Sequence, residues 1–104
     1  MNSRYTRSFK IPANHPCLKG HFPGFPVLPA VAQISMLTET LSSQHEGKCE
    51  ITSIPVAKFL HPVRPDSVLN VELLQKEANC ADFVIHCANR VVAKGRMTFR
   101  ISTP

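Results

Sequence analysis

Residues 15–33 read HPCLKGHFPGFPVLPAVAQ, and a proline-rich segment changes into a helical one within this stretch. Five of the nine prolines lie within residues 12–29, and this density excludes a regular helix or a central strand there. We therefore predict a long, stiff and specifically shaped loop. Long ordered loops in small domains usually carry function, so the two histidines and two glycines of residues 15–24 are candidate site residues.

A single helix is predicted directly after this loop. From Ala30 to Gln44 there is neither glycine nor proline, and apolar residues recur with helical spacing. Pro29 suits the first helical position, where its missing N–H has no partner to lose, and Gly47 is suited to end the helix. The apolar positions that define the predicted buried face are Ala30, Val31, Ile34, Leu37 and Leu41.

The other segments alternate apolar and polar residues, as strands with one buried face do. Short connections, such as Glu77–Cys80, indicate antiparallel hairpins. The predicted strands are Arg4–Lys10, Ile51–Leu60, Val68–Lys76, Ala81–Ala88 and Val91–Ser102, and the last is expected to bury Val91, Ala93, Met97, Phe99 and Ile101.

One helix cannot cover both faces of a five-stranded sheet. We therefore predict an α+β fold in which a curved antiparallel sheet wraps around one central helix and a second copy protects the remaining edge. The length of 104 residues allows one domain, which we place at residues 1–104.

Composition narrows the class of partner. The net charge of +5 comes from scattered residues, and the Phe residues and the single Tyr do not interleave with them as a stacking platform requires, so nucleic-acid binding is disfavoured. An acidic protein partner suits a diffuse basic surface better. No apolar run approaches the roughly 20 residues of a membrane helix, and residues 1–10 do not resemble a secretory signal. We expect a cytoplasmic protein that does not bind membranes.

The four cysteines show no CxxC spacing, and the histidines do not complete a zinc pattern. We therefore expect reduced thiols packed as small apolar groups and no bound metal.

Residues 20–24 read GHFPG, and Pro26 and Pro29 follow at fixed offsets. This segment resembles the signature loop of the hotdog-fold β-hydroxyacyl-[acyl carrier protein] dehydratases, GHFPGxPxxPGV, which runs into a central helix. The later segments KFLHPVRPDSVLNVEL and VVAKGRMTF are similar to strands of the same family. The likeness is closest to the short stand-alone dehydratase-like domains of aryl-polyene and related pathways, and it implies a hotdog fold.

The resemblance also implies an activity. Enzymes of this family dehydrate β-hydroxyacyl thioesters, linked to acyl carrier protein or CoA, to trans-2-enoyl thioesters in fatty-acid-like or polyene biosynthesis. They need no metal or organic cofactor, since the chemistry uses only proton transfers. In the family each site combines a histidine from one subunit with a helix acid from the other, which implies a homodimer.

Family roles transfer to this chain residue by residue. His21 matches the catalytic base in the turn set by Gly24, and the free N–H groups of Ala30 and Val31 would hold the thioester oxygen at the helix start. The expected lining of the acyl channel is Phe22, Phe25, Val27 and Leu28, and the candidate positions for docking an acidic carrier protein are Lys19, Lys58, Arg64 and Arg96.

Three helix positions depart from the family pattern. Ser35 stands where the family has its acid, and Glu39 stands one turn later, where glutamine is common. Ala30 also replaces the usual glycine. Three functional interpretations stay open: Glu39 is a displaced acid, acting directly or through a water held by Ser35; the chain is a non-catalytic acyl-binding subunit, paired in a hetero-dimer with a second hotdog chain; or it is an acyl thioesterase. The alternative without a functional role is that Glu39 is a solvent-exposed residue of the helix.

Overall fold

The computed structural model describes residues 3–12, 14, 28–45 and 47–102. It contains five strands and one helix in the predicted chain order. The elements are β1 (Ser3–Ile11), α1 (Ala30–Ser42), β2 (Lys48–Phe59), β3 (Ser67–Glu77), β4 (Cys80–Cys87) and β5 (Arg90–Ser102).

All five strands form one antiparallel sheet in the order β1-β3-β4-β5-β2. The helix packs against β1, β2 and β3, so the sheet wraps around it as predicted, and the hotdog fold is confirmed. The strand β2 lies at one edge of the sheet, and its register against β5 shifts twice between Ile51 and Val56. Pro55 lies within this irregular stretch, where an edge strand tolerates a residue without an N–H.

The core lies between the inner face of the sheet and one side of α1. Leu69, Val71 and Leu73 of β3 are fully buried, as their alternation predicts, and so are Phe83 and Ile85 of β4. Each such side chain contributes about 1.5–3 kcal/mol by leaving water. This layer fixes how α1 lies across the sheet.

The predicted buried face of α1 is partly wrong. Val31 is 68% exposed, whereas two polar residues, Gln33 and Thr40, are buried. The Thr40 hydroxyl donates to the carbonyl of Met36 at 2.8 Å, which satisfies it inside the helix. The observed buried residues are Ala32, Gln33, Met36, Leu37, Thr40 and Leu41, so the helix is rotated about its axis relative to the prediction.

The predicted burial pattern of β5 is wrong at its first residues because the strand contains a β-bulge. A register shift between Ile85 and His86 inserts one extra residue in β5, so Val92 and Ala93 are both buried although they are adjacent. At the other end of the strand, Ile101, which pairs with Cys49 of β2, is 37% exposed instead of buried.

The outer face of the sheet carries an ion-pair cluster. Asp82 pairs with Arg96 at 2.8 Å and with Lys76 at 2.9 Å. The hydrogen bond from Arg96 lowers the pKa of the Asp82 carboxyl, and Lys76 lowers it further. Arg96 is therefore already paired, which weakens the expectation that it docks a carrier protein.

Lys58 and Lys94 lie directly opposite each other on β2 and β5. Together with Asp82 and Arg96 they line a groove of about 420 Å³.

Candidate active site at the start of the helix

The first turn of α1 presents backbone donors for which the described residues provide no partner. Pro29 is the N-cap, with extended dihedrals (φ −70°, ψ 158°), so the helix starts one residue later than predicted. The carbonyl of Pro29 accepts hydrogen bonds from the N–H groups of Ala32 and Gln33. The N–H groups of Ala30 and Val31 precede the first intrahelical bond. The first turn contains no acidic residue, so the positive end of the helix dipole is not neutralised there.

A cavity of about 250 Å³ opens at this helix start. Leu28 is buried and is anchored by the bond from its N–H to the carbonyl of Val63, at 2.7 Å. The end of β2 and the segment after it form the opposite wall. The residues that line the cavity are Leu28, Ala30, Gln33, Phe59, Leu60, His61 and Pro62. Two predicted site residues, Leu28 and Ala30, thus lie in one cavity beside the free N–H groups.

Gln33 lines this cavity, although the sequence pattern did not indicate it as a site residue. Its side chain is 4% exposed, and its Nε2 donates to the carbonyl of Leu28 at 3.5 Å. Its Oε1 is buried and has no hydrogen-bond partner within the part of the chain that the structure describes. The only sequence signal was a polar residue in the first helical turns. His61 is the second such residue, since its place before Pro62 suggested only a structural role.

Ser35 and Glu39 lie on the exposed side of α1, away from the core. The Ser35 hydroxyl donates to the carbonyl of Val31 at 3.2 Å, within its own helix. The carbonyl of Glu39 accepts a hydrogen bond from Arg7 at 3.3 Å, and the Glu39 side chain is exposed. With Val31, these residues form a stripe at four-residue spacing that begins at the free N–H groups. Neither Ser35 nor Glu39 lines the cavity, so one chain alone does not bring the predicted acid to it.

The other predicted site residues lie outside the described residues. They are the base His21, the backbone position Gly24 and three residues of the expected channel, Phe22, Phe25 and Val27. Lys19, a candidate docking residue, is in the same segment. Their roles stay predictions.

An apolar surface surrounds the helix start. Val31, the second residue of α1, is 68% exposed, and Phe59 (43%) and Leu60 (47%), which line the cavity at the helix start, are also exposed. Exposed apolar clusters of this kind on an unpaired edge mark contact surfaces.

Two features are absent from the residues that the structure describes. No three His, Cys, Asp or Glu side chains come close enough together in them to hold a metal ion. Within the same residues, no helix has the length and apolar character needed to cross a membrane. Cys49, Cys80 and Cys87 are free thiols.

Comparison with known proteins agrees with the resemblance seen in the sequence. A family model described as "ApeI-like: ApeI dehydratase" matches residues 1–96. The 3-hydroxyacyl-[acyl-carrier-protein] dehydratase FabZ of Ehrlichia chaffeensis is 32% identical over 92 residues, which cover 82% of this chain. The aligned region spans 64% of that relative's length.

Solved structures agree on the fold. The dehydratase heterocomplex ApeI:P from Xenorhabdus doucetiae superposes with a TM-score of 0.82 at 19% identity, covering 95% of this chain and 93% of that one. The fluoroacetyl-CoA thioesterase FlK superposes with a TM-score of 0.78 at 13% identity, covering 98% and 87%. At these identities the likeness shows the fold alone, and the fold hosts both reactions.

Proposed function

Because the chain belongs to the ApeI-like dehydratase family, we propose that it removes water from β-hydroxyacyl thioesters, carried on acyl carrier protein or CoA, to give trans-2-enoyl thioesters. Fatty-acid-like or polyene biosynthesis is the setting that the family suggests. The observation that carries the proposal is the family match over residues 1–96. The cavity at the start of α1, with its free N–H groups, supports it.

The proposed reaction needs three groups. His21 takes a proton from the carbon next to the thioester carbonyl, and the electron pair moves onto the carbonyl oxygen. The N–H groups of Ala30 and Val31, at the positive end of the helix dipole, stabilise that oxygen. As the carbonyl re-forms, that electron pair makes the double bond between the second and third carbons, the bond from the third carbon to its hydroxyl breaks, and an acid protonates the departing group as water. Glu39 is our candidate for the acid, with Ser35 holding a water between the carboxyl and the leaving group.

The direct test is hydration of a crotonyl thioester by the purified chain, followed as loss of the enoyl absorbance. We expect hydration and no release of free thiol. Thiol release without hydration would favour the thioesterase alternative, and neither reaction would favour the acyl-binding subunit.

The position of Glu39 on an exposed stripe gives a sharper prediction about the acid. Changing Glu39→Gln keeps the size of the side chain and removes its proton, so we expect hydration to fall by about a hundredfold. Ser35→Glu restores the family's acid one turn earlier, and we expect it to rescue the Glu39→Gln variant. Steady-state kinetics with crotonyl thioester measure both.

Glu50→Gln is the matched control, since Glu50 is an exposed carboxylate paired with Arg100 on β5. Hydration that is unaffected by Glu39→Gln would exclude Glu39 as the acid.

We also propose that two hotdog chains combine to complete each site. The exposed stripe of α1 and the unpaired edge β2 support this assembly, since a second chain would cover Val31, Phe59 and Leu60. A homodimer is the expected form. ApeI:P is a dehydratase heterocomplex, so a second hotdog chain that supplies an acid is the alternative partner for this chain.

Light scattering tests the assembly. We expect a particle of twice the 11.5 kDa chain mass. Replacing Phe59 with Asp places a charge in the apolar contact, and we expect it to shift the particle to the mass of one chain. A wild-type particle with the mass of one chain would overturn the homodimer. Activity that appears only when a second hotdog chain is added would identify the hetero-dimer.

A further inference from the structure

A second cavity, of about 440 Å³, adjoins the one at the helix start. The two cavities share His61 and Pro62 as a common wall. The second cavity lies at the end of the sheet where the β4–β5 turn meets the segment before β3. Its lining is His61, Pro62, Arg64, Ser67, Cys87, Ala88, Arg90 and Val92.

The polar groups of this second cavity are suited to an anion. Arg64 and Arg90 supply guanidinium groups, Ser67 a hydroxyl and His61 an imidazole, and none of the described residues that line the cavity is acidic. Asp66, the acid nearest in sequence, lies in an exposed turn and is not part of the lining. Guanidinium groups bind phosphate through paired hydrogen bonds.

Arg90 is the cation best placed to serve a ligand. It is exposed at the start of β5, and within the described ranges it forms no ion pair. The other two exposed arginines of β5 form ion pairs, Arg96 with Asp82 and Arg100 with Glu50. Among the described residues, Arg90 is thus the arginine of β5 that forms no ion pair, and it lines this cavity, whereas Lys94 does not.

We propose that this second cavity binds the phosphate at the end of the pantetheine arm that carries the acyl group. This inference rests on the proposed function, because it places the thioester in the cavity at the start of α1. Carrier protein and CoA share the arm and its phosphate. With the thioester at Ala30 in the first cavity, the arm passes His61 and Pro62, which line both cavities. Its phosphate then lies in the second cavity, beside Arg90 and Arg64.

The test compares 4′-phosphopantetheine with pantetheine, which lacks the phosphate. By titration calorimetry at low salt, we expect wild-type protein to bind the phosphorylated arm about tenfold tighter. Arg90→Gln should lower this preference to about threefold or less. Lys48→Gln is the matched control, because it removes one exposed positive charge at the far end of β2 and should leave the preference unchanged.

The outcomes separate the two proposals, because binding of the arm requires no turnover. Hydration activity without any preference for the phosphorylated arm overturns the phosphate site and leaves the dehydratase standing. The preference without hydration supports the phosphate site and counts against the proposed reaction. An equal preference in wild type and Arg90→Gln also overturns the site.

Thioester substrates then distinguish the source of the phosphate. Arg90→Gln should raise KM for crotonyl-CoA and for the crotonyl carrier protein by similar factors, since both contain the arm. A rise with carrier protein alone would mark Arg90 as a contact to the protein surface and overturn the phosphate assignment.

Discussion

Replacing His21 with alanine is expected to lower kcat/KM for hydration of a crotonyl thioester by about a hundred- to ten-thousandfold, the usual contribution of a general base. The physical reason is that His21 is the one group to which the proposed reaction assigns removal of the proton from the carbon next to the carbonyl. The N–H groups of Ala30 and Val31 can only donate, and Ser35 already donates its proton to a helix carbonyl. The loss should appear in kcat, since imidazole acts on the reacting atoms.

His86→Ala is the matched control for this prediction. His86 lies near the end of β4, half-buried, outside both cavities that adjoin the helix start. We expect it to keep wild-type kinetics. Thermal unfolding of both variants checks that they fold. A His21→Ala protein that folds and hydrates the thioester at the wild-type rate would exclude His21 as the base.

The largest effect on stability is expected at Gly95, where Gly95→Ala should lower the free energy of unfolding by roughly 3 kcal/mol. A Cβ at this position would collide with the backbone carbonyl of Val56 and would lie 2.8 Å from Cζ of Phe83. The carbonyl belongs to the edge strand β2, so relief of the clash requires β2 to move away from β5. Denaturant unfolding measures the change.

Lys94→Ala is the control, because Lys94 is the exposed neighbour of Gly95 on the same strand. Its loss should change stability by no more than about 0.5 kcal/mol. Since β2 ends at Phe59, which lines the cavity at the helix start together with the next residue, Leu60, Gly95→Ala should weaken hydration as well. Equal stability of wild type and Gly95→Ala would show that β2 shifts without cost.

Local patterns predicted most of the fold. The helix and all five strands occur in the expected order, because alternation with period two and spacing with period 3.6 both act between near neighbours in the chain. The rotation of α1 was not predictable in the same way. The packing of α1 against the sheet determines that Val31 is exposed and that Gln33 is buried. The buried Gln33 is tolerated because its amide donates a hydrogen bond to the carbonyl of Leu28.

The sequence by itself determined the family and the exchange of Ser35 and Glu39, since both are matters of residue type and spacing. Only the tertiary structure decided which groups share a cavity: the N–H groups at the start of α1, the amide of Gln33, and His61, which follows β2. It also placed Arg90 next to that cavity, across a wall of two residues. These residues are distant in the chain, and the pairing of strands brings them together. No local periodicity encodes such proximity.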